Sequence, residues 1–149
     1  MIRKYTREDK TAVVDLLKIN TPEYFDLSEE KDLIAYLENE LEDYFVVEIE
    51  SVIVGAGGIN YFPEERIARI SWDMIHPDFQ GRGVGKTLIQ YRIDHIKAKS
   101  FYNTIEVRTS QLVAKFYHKM GFEIVSIKKD YWAKGYDLYQ MIYKRNTGC

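Results

Sequence analysis

Residues 75–86 read Ile75-His76-Pro77-Asp78-Phe79-Gln80-Gly81-Arg82-Gly83-Val84-Gly85-Lys86, and this stretch decides the fold. A β-rich run ends at His76-Pro77, three glycines follow within five residues, and an apolar-periodic run opens at Val84. The order predicts a strand, a tight loop and a helix start. Glycine permits positive φ and lets a ligand approach the backbone closely. Successive backbone N–H groups, with the positive end of a helix dipole, make an anion site. Arg82 and Lys86 add positive charge. The physical expectation is a phosphate or pyrophosphate ligand.

Two nucleotide patterns fail at this loop. The tail Gly85-Lys86-Thr87 imitates the end of a P-loop, but that motif needs glycine where Gln80 stands. The dinucleotide pattern of three spaced glycines meets Lys86 if started at Gly81, and Leu88 if started at Gly83. An ordinary glycine-rich strand-to-helix turn remains the plain structural alternative.

Working outward, the segment before the loop is rich in strand formers. Residues 44–49 and 52–61 read as a hairpin, and residues 67–76 as a third long strand. Upstream, residues 2–5 make a short strand. Thr6 and Asp9 form a capping-box variant ahead of an apolar face at Val13, Leu16 and Leu17. Asn20-Thr21-Pro22 ends that helix, because the residue before proline is pushed out of the helical region. Ser28-Glu29-Glu30 opens a second helix with Leu33, Ile34, Leu37 and Leu41 at helical spacing. Downstream come a helix over 84–100, a strand over 104–108, a helix over 110–120, and strands over 122–128 and 136–143. The order β-α-α-β-β-β-α-β-α-β-β predicts one α/β domain over residues 1–149, with a sheet antiparallel in its first half and helices on both faces.

Composition narrows the classes. The 149 residues are 46% hydrophobic and 30% charged, and the formal net charge is −2. A chain of this length buries roughly two-thirds of its unfolded surface, enough to fold without metal or disulfide. No basic footprint for nucleic acid is present. His76, His95 and His118 fall in separate elements without ligand spacing, so no metal site is expected. No run is long and apolar enough for a membrane span, and residues 1–9 contain no secretory apolar core. The one cysteine, Cys149, leaves no internal disulfide and has no setting that would make it a nucleophile. A reducing, cytoplasmic location is the expectation.

One further pattern fits the loop completely. Gln80-Gly81-Arg82-Gly83-Val84-Gly85 resembles the signature of the GNAT superfamily of N-acetyltransferases: glutamine or arginine, two residues, glycine, one residue, then glycine or alanine. The strand over 70–75 followed by His76-Pro77 resembles that fold's fourth strand and its proline. Phe116-Tyr117-His118-Lys119-Met120-Gly121-Phe122 resembles the family's later tyrosine and Gly-Phe motif. Clear resemblance covers residues 70–122. It implies a mixed, largely antiparallel, splayed central sheet of about seven strands, holding acetyl-CoA in a V-shaped opening. Backbone amides of Gln80, Gly81, Arg82, Gly83, Val84, Gly85 and Lys86 would wrap the pyrophosphate. The pantetheine arm would pair with backbone from Asp73 through Met74 to Ile75. The Ile75 amide would then face the thioester oxygen.

The same resemblance makes Tyr117 the acid that protonates the departing thiolate. Positions 113, 116, 117 and 120 also form one apolar helix face, so Tyr117 as plain core is the competing reading. Some relatives use a glutamate near the start of the fourth strand as base, but Arg69 stands there. Strand alternation puts Arg69, Ser71, Asp73 and Ile75 on one face, with Ile70, Trp72 and Met74 on the other. Asp73 is therefore the candidate base, against the alternative of a carboxylate paired with an arginine. Ser110 stands where many relatives touch the cofactor, or else it caps the next helix. Residues 20–27 would cover the acceptor site, with Tyr24 and Phe25 as an apolar wall and Glu23 or Asp26 attracting a cationic amine.

The implied activity is acetyl transfer from acetyl-CoA to a primary amine, of a small molecule or a peptide. The other class that stays open is a non-catalytic acyl-CoA-binding module of the same fold. A homodimer is expected through the apolar segment Tyr136, Leu138, Tyr139, Met141, Tyr143.

Overall fold

The computed structural model describes residues 1–144; Cys149 lies outside them. In chain order the elements are β1 (Ile2–Lys4), α1 (Lys10–Ile19), α2 (Glu29–Asn39), β2 (Asp43–Ile49), β3 (Val52–Phe62), β4 (Ile67–Ile75), α3 (Val84–Ala98), β5 (Thr104–Thr109), α4 (Ala114–Lys119), β6 (Phe122–Ala133) and β7 (Tyr136–Tyr143). Seven strands form one sheet in the order β1-β2-β3-β4-β5-β7-β6. Every neighbouring pair is antiparallel except β4 and β5, which run parallel.

That parallel contact is short. It runs from Ile67 opposite Thr104 to Ile70 opposite Val107. Beyond it β4 continues to Ile75 and β5 to Thr109 without pairing to each other. The sheet therefore splays open at its middle, as the resemblance implies.

Each face of the sheet has its own core. Leu88, Ile89, Ile93 and Ile96 of α3, with Tyr117 of α4, pack on Phe45, Ile59, Ile70, Val107 and Met141. Val13 and Leu17 of α1 and Leu33 of α2 pack on Val46, Ala56 and Met74. The helical spacing of these apolar positions matches the faces they bury. Among the described residues no helix is long and apolar enough to cross a membrane.

Strand β4 departs from plain alternation. Ala56 pairs with Met74 and Gly58 with Ser71, so Trp72 and Asp73 together face Gly57. This is a β-bulge, and Trp72 carries a φ of 49°. The extra residue resets the faces. Ile70 joins the α3 core with Ile75 packed against it, and Asp73 reaches Arg92 on α3. Ser71 and Trp72 both turn toward α2 and its Tyr36. The expected shared face of Arg69, Ser71, Asp73 and Ile75 is thus broken between Ser71 and Asp73.

Three other bounds shift. Helix α4 begins at Ala114 rather than 110, because Ser110 Oγ accepts from the Leu112 amide (3.2 Å) and holds a turn. Helix α2 stops at Asn39, short of Leu41. Strand β6 runs on to Ala133, since Asp130 and Asp137 fasten the far end of its hairpin. Asp137 Oδ1 accepts from the Asp130 amide (2.9 Å), and Asp130 Oδ1 from that of Gly135 (2.7 Å).

The apolar segment of β7 is no free surface. Strand β7 lies between β5 and β6, and its Leu138 and Met141 are buried. On the neighbouring β6, an edge strand, Ile124, Val125, Ile127 and Tyr131 are among the exposed apolar side chains.

Ile93 is wholly buried at the centre of α3. Ile93→Ala should lower the unfolding free energy by about 2–5 kcal/mol, read from urea unfolding.

Candidate active site

Where β4 and β5 part, a cavity of about 1250 Å³ runs through the sheet. One arm leads to the glycine loop and the other to α2 and the first half of the sheet.

In the loop arm, Gly81 and Gly83 hold φ of 77° and 83°, values that side-chain-bearing residues rarely adopt. The Gly83 carbonyl accepts from the Thr87 amide (3.0 Å) and Thr87 Oγ1 (2.8 Å), which starts α3. Gln80, Gly81, Gly83, Gly85 and Lys86 border the cavity. The side chains of Arg82 and Val84 turn elsewhere. The Arg82 guanidinium lies 5.1 Å from the Phe79 ring centre, and Val84 packs against the inner core. Ser110 also borders the cavity while its hydroxyl holds the turn before α4.

The unpaired edge of β4 faces the same space. His76 N–H bonds to the Val54 carbonyl on one side (2.8 Å). Strand alternation then turns the Ile75 amide and carbonyl to the other edge. The Ile75 carbonyl already accepts from Asn20 Nδ2 (3.1 Å) and Gln80 Nε2 (3.4 Å). Asn20 is almost fully buried, and its Nδ2 also reaches the Leu16 carbonyl (2.8 Å). It ties the end of α1 to the end of β4 and, through Gln80, to the loop (3.4 Å). Sequence reading sees Asn20 only as a helix terminator, because those partners are distant in the chain.

At the apex of the splay, Tyr117 and Asp73 touch. The Tyr117 hydroxyl, on a residue 3% exposed, donates to Asp73 Oδ2. Asp73 Oδ1 is held by Arg92 Nη2. Arg92 is completely buried and also donates to the carbonyls of Gly58 (3.0 Å) and Leu88 (3.2 Å). Burial first, and the nearby Asp73 carboxylate second, push the Tyr117 hydroxyl well above the ordinary phenol range. The competing readings for these residues both hold in part. Tyr117 is core, edge-on to Phe116 and Phe122, and Asp73 does pair with an arginine. Yet both border the cavity. Arg92 went unnoticed in the sequence, though a signal existed: it interrupts the apolar face of Leu88, Ile89, Ile93 and Ile96.

The arm toward α2 has an aromatic wall. Phe25 stacks on Trp72 (6.3 Å, 19°), and Tyr36 lies tilted against it (6.2 Å, 48°). Its carboxylates are Glu29, Asp32, Glu40 and Glu42. Glu23 and Asp26 do not border the cavity; Asp26 instead accepts from the Ser28 amide (2.9 Å) ahead of α2. Burial raises the Glu29 carboxyl above its usual range. Arg69 is occupied by Glu106 (3.4 Å) and lies over the Phe62 ring (4.4 Å). Across the opening, the Tyr136 hydroxyl donates to the Pro22 carbonyl (2.5 Å).

A splayed sheet, a glycine loop opening a helix and a tyrosine at the apex define an acyl-CoA-dependent class of fold. The chain matches the Acetyltransferase (GNAT) family over residues 11–122, more than half its length, and it belongs to that family. It is 28% identical over 54 residues to an amino-acid acetyltransferase of Actinobacillus pleuropneumoniae serotype 3 (strain JL03), a match covering 36% of this chain and 12% of that protein. It is 33% identical over 67 residues to a [ribosomal protein bS18]-alanine N-acetyltransferase of Salmonella typhimurium, covering 42% and 45%. The chain thus spans less than half the length of either relative. Its fold is shared with an aminoglycoside 6′-N-acetyltransferase complexed with coenzyme A, at TM-score 0.76 and 15% identity over 95% of each chain.

Burial also pushes the Tyr44 hydroxyl well above its ordinary value. A hydroxyl raised in the folded state stabilises the fold below its unfolded pKa, about 10, and that contribution is lost as pH climbs higher. The thermal midpoint should fall as pH rises past about 10, and Tyr117→Phe should flatten that fall.

Proposed function

We propose that the chain transfers the acetyl group of acetyl-CoA to a primary amine, by direct attack of the amine on the thioester. The observation that carries this is the contact of Tyr117 with Asp73 at the apex, between an anion-binding loop and an acidic, aromatic arm.

An alkylammonium of pKa about 10.4 is deprotonated in roughly one molecule per few thousand at pH 7. The ammonium proton leaves to solvent, and Asp73, acting as general base, takes the second N–H proton as the neutral amine attacks. The amine nitrogen bonds to the thioester carbon, and the carbonyl π electrons move onto oxygen. The Ile75 amide, turned toward the cavity, stabilises that oxyanion. The C–S bond then breaks, and Tyr117 gives its hydroxyl proton to the sulfur. Asp73 passes the captured proton back to Tyr117 across their hydrogen bond, so protons balance without a third group. Tyr117 is protonated at neutral pH, as any phenol is, and its hydroxyl already points its proton along the bond to Asp73.

Backbone amides from Gln80 through Lys86 would receive the pyrophosphate, with Lys86 adding charge. The free edge from Asp73 through Met74 to Ile75 would pair with the pantetheine. The carboxylates Glu29 and Asp32 beside Phe25 and Trp72 favour a cationic amine, since aromatic faces and carboxylates both attract cations. A non-catalytic acyl-CoA-binding module is favoured by one observation, the engagement of Arg69 with Glu106 where relatives carry a base.

Gly83→Asp tests the loop. Aspartate tolerates the left-handed conformation better than most residues, so the fold should survive while a carboxylate meets the phosphate. Calorimetric affinity for acetyl-CoA should drop at least about tenfold, and unchanged affinity would refute the site.

Thiol release from acetyl-CoA against a library of amines separates enzyme from module. Tyr117→Phe keeps the ring and deletes the hydroxyl. With chemistry rate-limiting, kcat should fall by at least about tenfold while acetyl-CoA affinity and Tm stay near the parent. Asp73→Asn should lower kcat/KM. A variant matching the parent would remove Asp73 as base.

A further inference from the structure

A fully buried guanidinium is an expensive feature, because desolvation of the charge must be offset by its partners. Arg92 stands on α3 among Leu88, Ile89, Ile93 and Ile96, where an aliphatic side chain would pack without that cost. Two of its three partners are backbone carbonyls, of Gly58 and Leu88. The third is Asp73, whose other oxygen accepts the Tyr117 hydroxyl.

Two further features of the chain make room for this pair. The bulge at Trp72 turns Asp73 toward α3. Opposite it, a Cβ on residue 57 would collide with Asp73 Oδ1 and stand 2.7 Å from Arg92 Nη1. Real Cβ atoms do not approach so closely, so Gly57 supplies the space that the ion pair fills. A bulge, a glycine and a buried charge on three different elements converge on one carboxylate.

We propose that Arg92 is a positioning residue for acetyl transfer: it fixes the Asp73 carboxylate, which in turn fixes the Tyr117 hydroxyl at the apex of the splay. The proposal rests on the reading of Tyr117 as general acid. Arg92 is buried and does not border the cavity, so it meets neither the amine nor the thioester; it acts only through Asp73. A guanidinium suits this role because it satisfies two carbonyls and a carboxylate from one planar fork, which an ammonium does not.

The test is a double-mutant cycle on the full chain, with acetyl-CoA and the amine of the library it turns over fastest. Parent, Arg92→Lys, Tyr117→Phe and the double variant are compared in kcat, KM for acetyl-CoA and Tm. Arg92→Lys should lower kcat by at least about tenfold with KM for acetyl-CoA changed less than about twofold. In the Tyr117→Phe background the same substitution should cost at least about threefold less than in the parent: the hydroxyl it positions is gone, and only the displacement of Asp73 as base remains. Equal losses in both backgrounds would mean a general structural role and overturn the proposal, as would parent turnover in Arg92→Lys. Should Arg92→Lys not fold, Gly57→Ala replaces it in the cycle, crowding the pair without removing a charge, with the same expected pattern. A readout free of turnover accompanies it. With ring-labelled tyrosine, the 13Cζ resonance that Tyr117→Phe deletes should shift in Arg92→Lys and in Gly57→Ala, and an unmoved resonance also overturns the proposal. A Tyr117→Phe variant turning over at the parent rate, or a parent inert to every amine, would instead bring down the acid reading and this inference with it.

Discussion

The parting of β4 from β5 after Ile70 and Val107 is the constraint on which the rest of the structure depends. A sheet interior normally satisfies its backbone groups by pairing, and leaving edges open inside it is costly. The chain meets that cost locally. Asn20 and Gln80 satisfy the Ile75 carbonyl, and Trp132 Nε1 donates to the Thr109 carbonyl (3.2 Å). What remains open is the stretch of β4 that an extended ligand can complete, a use of a strand edge common to peptide recognition. Both cores serve the same opening. Helix α3 begins at the glycine loop on one face, while α1 and α2 close the other face beneath the aromatic wall.

The charged trio at the apex shows how competing descriptions of one residue can coexist. Tyr117 is packed as core, and Asp73 is paired as an ion, yet both face the cavity. A buried phenol beside a carboxylate resists ionisation. Stability and chemistry draw on the same contacts here. A mutation at Arg92, Gly57 or Asp73 therefore disturbs both, and only couplings between positions can apportion the loss.

Much of this was legible in the sequence, for identifiable reasons. The glycine loop could be read because positive φ and a helix start are local properties of Gly81, Gly83 and the residues after them. Seven strands and four helices followed from periodicity. The bulge could not be read, because it belongs to a pair of strands and depends on Gly57 lying across from Asp73. Arg92 was visible as a charge on an apolar face, but its partner lies 19 residues away. Glu29 and Asp32, rather than Glu23 and Asp26, border the acceptor arm because residues 20–27 turn their acids toward backbone and solvent. Of the apolar segment over residues 136–143, Leu138 and Met141 are buried and the three tyrosines half-buried, because β7 inserts between β5 and β6, a crossover that alternation alone does not reveal.

The contact from the Tyr136 hydroxyl to the Pro22 carbonyl joins the second hairpin to the loop between α1 and α2. It lies across the opening like a bar across a doorway. A neutral hydrogen bond of this kind has a net worth of about 1 kcal/mol, so taken alone it stands unlatched in about one molecule in six. Such a bar cannot bolt the cleft shut against a ligand. It can hold the two halves of the entrance at one spacing, and an occupant can then enter or leave without a large rearrangement of the fold.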